Sequence, residues 1–171
     1  MTVQEICLLA LESVLEEKSG VYVAGPLDTG LEYYQTSAKR LPEPPDLRER
    51  NQRRLSQFAA QVRRRVGGPV IDPGVLRVPG WSGRDYLQFF LVVLERFVRE
   101  AWFVDGWEFS LGATREFQYC TSRAIRCRDE AGEELTPTRG RELIESASRY
   151  VESIGGDASR LRSRLSDLMP A

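Results

Sequence analysis

Ser110-Leu111-Gly112-Ala113-Thr114-Arg115-Glu116 sets a small hydroxyl residue, a glycine and a carboxylate within one short stretch. Serine and glycine suit a helix start, where unpaired backbone N–H groups hold an anion or a sugar hydroxyl. Glu116 is then expected on the first helical turn, kept ionised by the positive helix end and pointing back toward the strand ends. That is a sound location for a nucleophile attacking an anomeric carbon. The same spacing also fits an ordinary capping arrangement with glutamate at or near the third position. A second candidate segment is Tyr22-Val23-Ala24-Gly25-Pro26, where a glycine-proline turn brings bare backbone to the end of an apolar run. A turn glycine by itself needs no function.

Other chemistry is excluded. The chain has no histidine, so Ser-His-Asp and Cys-His mechanisms and His-ligated metal sites are ruled out. Cys7, Cys120 and Cys127 are sparse, odd in number and without CxxC spacing, which argues against a disulfide framework or a zinc site. A net charge of −1 gives no global field for nucleic acid or an anionic membrane, so any phosphate must be handled locally. No basic region followed by an apolar core opens the chain, and no apolar run approaches the ~20 residues that cross a bilayer. A cytoplasmic protein without cofactor, metal, nucleic-acid or membrane partner is expected.

The elements that must position these residues follow from periodicity. With 171 residues, 42% of them hydrophobic, the chain suits one domain with a single core. Apolar spacing predicts helices over 3–18, 47–66, 84–100, about 110–122, 137–154 and 157–168. Strands are predicted over 21–24, 69–71, 101–104 and 124–127. Residues 27–46 read as a long irregular loop, and 129–134 as a surface turn. The arginines of 47–66 read as a solvated helix face, and the apolar helix 84–100 as buried on most sides or packed on a second subunit. Strands alternating with helices imply an α/β fold. It is a single-domain, mainly parallel, doubly wound Rossmann-like or flavodoxin-like sheet, with helices on both faces and extra C-terminal helices. In such sheets ligands sit outside the carboxyl ends of the strands, so the turns at 25–30, 72–83 and 105–116 are the informative ones. Trp81, Tyr86 and Trp107 lie there as aromatics able to stack on a base.

Three blocks together resemble the nucleoside 2-deoxyribosyltransferase-like superfamily: residues 22–26, Trp81-Ser82-Gly83-Arg84-Asp85-Tyr86, and residues 106–116. That superfamily includes deoxyribosyltransferases and nucleoside 5′-monophosphate N-glycosidases. The similarity spans roughly residues 20–128, leaving the C-terminal helices outside it. The resemblance implies that Glu116 is the nucleophile forming a glycosyl-enzyme intermediate, that Tyr22 is an aromatic near it, and that Gly25 belongs to the turn admitting the sugar, beside Pro26. It implies that Ser110, six residues before the glutamate, meets a 5′-phosphate, with Gly112 at the same helix start. The family's leaving-group acid lies about two dozen residues before the nucleophile, where this chain is apolar around Val92; Asp85 and Glu95 are the nearest acids. After the first strand the monophosphate hydrolases carry arginine or small residues. Here stands Asp28, which repels a phosphate and suits a ribose hydroxyl.

The expected activity is cleavage of the N-glycosidic bond of a nucleoside or its 5′-monophosphate. Base exchange is the close variant, and a non-catalytic nucleotide-binding module or a structural partner protein are the alternatives. Glycosyl transfer needs only a carboxylate on one face and an acid at the leaving group. The resemblance also implies a homodimer or higher homo-oligomer, each site completed by a neighbouring subunit.

Overall fold

The computed structural model describes residues 1–166. Its centre is a four-stranded, all-parallel sheet in the order β2-β1-β3-β4, formed by β1 (Gly20–Ala24), β2 (Val70–Ile71), β3 (Val98–Phe103) and β4 (Arg126–Arg128). Around it lie α1 (Val3–Glu12), α2 (Leu31–Ala38), α3 (Leu47–Val66), α4 (Gly83–Phe97), α5 (Leu111–Ser122), α6 (Pro137–Ser153) and α7 (Ser159–Ser166). The expected α/β fold with a parallel, doubly wound sheet is what the chain adopts.

Side-chain alternation along the strands divides the core in two. Val21, Val23, Trp102 and Val104 pack on Leu55, Phe58, Ala59 and Val62 of α3. Tyr22, Ala24, Ala101 and Phe103 face the other way, onto α4 and α5. A third cluster joins Tyr34 of α2, Leu111 of α5, Val151 of α6 and Leu161 of α7. The C-terminal helices are therefore part of the same packed body. No helix among the described residues is long and apolar enough to cross a membrane.

Several boundaries differ from the periodicity reading. The first helix stops at Glu12, not 18, where the Ser13 hydroxyl donates back to the Ala10 carbonyl. Residues 31–38, expected as loop, form α2. It buries Tyr34 in the core with Tyr33 packed beside it, and is tied from outside by a two-bond Arg50–Glu32 contact at 2.8 Å. The apolar run 84–100 holds two elements: α4 ends at Phe97 and β3 begins at Val98, paired with Gly20. Leu94, Phe97, Val98 and Ala101 keep the helical i, i+3, i+4, i+7 spacing straight across the junction, so no break of period marks it. The apolar face of α4 is largely spent inside the chain through Phe89, Phe90, Val93, Leu94 and Phe97. The last helix spans Ser159–Ser166, and positions 167–168 lie outside the described residues.

Candidate functional site

After β1 the chain goes to β2 on one side, then returns past β1 to β3 on the other. The point where the direction reverses lies between the carboxyl ends of β1 and β3, the place where open α/β sheets take ligands. Two details of sequence open it. At Gly25 a Cβ would stand 2.3 Å from the Val104 side chain, so only glycine lets the two strand ends stay side by side. Beyond β3 a single 3₁₀ turn (Trp107–Phe109) delivers Ser110 to the N-cap of α5.

The first turn of α5 is built for polar contact. Ser110 Oγ accepts from the Ala113 N–H at 3.2 Å, and Thr29 Oγ1, from the loop after β1, accepts from the Leu111 N–H at 3.0 Å. The Gly112 N–H lies between these two capped donors.

Glu116 is the sixth residue of α5, on its second turn, and only 8% exposed. This corrects the expectation of a first-turn residue held ionised by the helix end. The dipole's influence falls off within the first turn, and burial wins: desolvation pushes the carboxyl up to about 7, with the Tyr22 hydrogen bond opposing it. The capping alternative is also removed, since Ser110 fills that role without Glu116. The Tyr22 hydroxyl, fully buried, donates to Glu116 Oε1 at 2.7 Å. Burial, then the neighbouring carboxylate, raises the phenol well above its ordinary value, so Tyr22 stays a neutral donor. Both strand-end candidates thus meet in one hydrogen bond across 94 positions of sequence.

The pair lies beneath a cleft of about 380 Å³, within the usual range of small-molecule sites. Gly25, Asp28, Ser110, Gly112 and Glu116 all line it. No family model, curated protein or solved structure matches this chain. What the cleft does must follow from its own geometry.

The remaining candidates lie elsewhere. Trp107 is 2% exposed and packs between Phe103 and Phe117, so its ring is core and not a stacking surface. Trp81 packs on Tyr86 and Phe89 behind the cleft wall, while Tyr86 itself lines it. Pro26 turns toward Gly30. Asp85 completes a capping box at the start of α4, where Oδ2 accepts from the Ser82 hydroxyl at 2.6 Å and the Ser82 N–H at 2.7 Å. Those bonds hold its carboxyl below the usual range. Glu95, near the opposite end of α4, bonds the Tyr119 hydroxyl and Arg123; the Tyr119 bond leads in holding it low. Neither acid is a proton donor aimed into the cleft.

Sequence reasoning missed the arginines. Among the described residues, Arg48, Arg84, Arg160 and Arg164 line the cleft against the carboxylates of Asp28 and Glu116. Asp28 is joined to Arg48 by a salt bridge, so the negative charge expected to repel phosphate is already countered. Arg84 stood within a motif block. Arg160 and Arg164 had no local signal in an arginine-rich chain, because only the packing of α7 brings them here.

Proposed function

We propose that this protein cleaves the N-glycosidic bond of a nucleoside 5′-monophosphate or nucleoside, with Glu116 as nucleophile. The observation that carries the reading is the Tyr22–Glu116 hydrogen bond beneath a sugar-sized cleft at the topological switch point. The ionised Glu116 oxygen bonds to the anomeric carbon as the carbon–nitrogen bond breaks and its electron pair leaves with the base. Water then adds to the same carbon and gives up a proton, which neutralises the departed base, so that the sugar is released and the carboxylate restored. Tyr22 fixes which carboxylate oxygen faces the sugar, since Oε1 is occupied and Oε2 is left to attack. Poor solvation makes the carboxylate a stronger nucleophile once ionised, and a pKa near the working pH keeps a large fraction in that form.

Base exchange by a second base in place of water uses the same first step. A non-catalytic nucleotide-binding module is the second reading, favoured by the engagement of Asp85 and Glu95 elsewhere, which leaves neither of these acids to serve the departing base.

The test is incubation with ribo- and deoxyribonucleosides and their 5′-monophosphates, with and without added free bases, followed by chromatography. Release of a base supports hydrolysis, exchange only with added base supports transfer, and binding without either supports the module.

A further inference from the structure

Asp28 is presented to the cleft by a loop that is held on both sides of it. One residue earlier, the Leu27 carbonyl accepts from Asn51 Nδ2 of α3 at 2.9 Å. One residue later, Thr29 Oγ1 accepts from the Leu111 N–H of α5 at 3.0 Å. The loop also closes on itself, since a Cβ at Gly30 would stand 3.0 Å from Pro26. Asp28 Oδ1 accepts from Arg48 Nη1, and both side chains line the cleft that Gly25 and Glu116 also line. Arg48 thus fixes the carboxylate and offsets its charge. The Asp28 side chain is nevertheless 64% exposed, so Oδ2 is left open to whatever fills the cleft.

We propose that this Arg48-held carboxylate accepts a hydrogen bond from the 2′-hydroxyl of a ribose, so that the cleft takes ribonucleosides and ribonucleotides in preference to their 2′-deoxy forms. The assignment rests on the nucleoside reading of the cleft and names the sugar, which that reading leaves open. It departs from the 2-deoxyribosyl substrates of the superfamily that the chain resembles. Three features support it. A carboxylate whose charge is already paired gains little from a cationic ligand but remains a strong acceptor for a neutral O–H donor. The loop that carries Asp28 leaves β1, the strand whose Tyr22 holds Glu116, and the hydroxyl nearest an attacked anomeric carbon is the one on the adjoining carbon. The opposite wall, from α4, offers Leu87, Phe90 and a Tyr86 whose hydroxyl is spent on the Val78 N–H at 2.8 Å and the Val78 carbonyl at 3.2 Å. That wall suits the flat face of a base and leaves the polar β1 side to the sugar. Because the loop is clamped before a ligand arrives, binding pays little ordering cost there. A site built to bond a hydroxyl also discriminates against the analogue that lacks it.

The test is calorimetric titration of the wild type and Asp28→Ala with the 5′-monophosphates of adenosine, guanosine, cytidine and uridine, each against its 2′-deoxy form. Circular dichroism verifies the fold of the variant. The quantity read is the ratio of ribo to 2′-deoxy affinity for one base, in which the stronger phosphate attraction caused by removing a negative charge cancels. The expected ratio is at least about tenfold in the wild type, the size of one hydrogen bond to a charged group, and within about twofold of unity in Asp28→Ala. Equal binding of both sugars by the wild type overturns the assignment without recourse to a variant. A wild-type ratio kept by Asp28→Ala overturns it as well, and so does a loss that follows the base and is alike for both sugars. Binding of no member overturns the nucleoside reading and the ribose assignment with it. The cleavage reading is judged separately, by whether Glu116→Gln still turns substrate over.

Discussion

Glu116 and Tyr22 form a two-residue device whose behaviour with pH is fixed by which force dominates. Burial raises the folded-state carboxyl from about 4.5 to about 7, so between those values the folded chain holds a proton that the unfolded chain has released. Folding stability contributed by this group is therefore present below about pH 4.5 and lost as pH rises through 7. The full difference is on the order of 3 kcal/mol at its upper limit. Glu116→Gln should erase that slope, so denaturant melts at pH 5 and pH 8 should differ less for the variant than for the wild type. Activity runs the other way, because attack requires the ionised form: turnover should climb through about pH 7. Tyr22→Phe removes the one hydrogen bond that lowers the Glu116 pKa. The activity profile should move to higher pH, and about 1–3 kcal/mol of stability should be lost where a buried oxygen is left unpaired. A profile unmoved by Tyr22→Phe would mean that the bond has no part in setting the carboxylate.

At the scale of elements, the site depends on close approaches that only glycine permits. At Gly140 of α6 a Cβ would fall 2.1 Å from the Phe117 ring, directly beside Glu116 in sequence. Gly140→Ala should cost about 1–3 kcal/mol through overpacking and slow turnover, measured by thermal melting and by rate at saturating substrate. Full activity and stability in that variant would separate α6 from the site. β1 and α3 were legible in the sequence because the first is a short apolar run closed by Gly25-Pro26 and the second keeps a helical apolar period closed by Gly67-Gly68. The junction at Phe97–Val98 was not, since Leu94, Phe97, Val98 and Ala101 continue a helical spacing across it. Nor was α2, whose apolar contact is confined to Tyr33 and Tyr34 and which is tied to α3 by the Arg50–Glu32 ion pair.

For the whole molecule, the parallel sheet and its order place β1 and β3 side by side, and this alone brings residues 22 and 116 together. The sequence anticipated the carboxylate, the N-cap serine and the turn glycine, because each lies in a short segment whose local role is readable. It misplaced Trp107, since an aromatic next to a strand end looks alike whether it faces ligand or core. It omitted Arg160 and Arg164, since only tertiary packing carries α7 to the cleft. The central claim is that Glu116 performs the bond-breaking step. Its most direct test is the rate of base release from the best nucleotide of the panel by wild type and by folded Glu116→Gln, side by side at pH 8. The account predicts release by the wild type and a loss of at least about a thousandfold in the variant, the range seen when a covalent nucleophile is removed. Release by Glu116→Gln at a rate near the wild type's would contradict it.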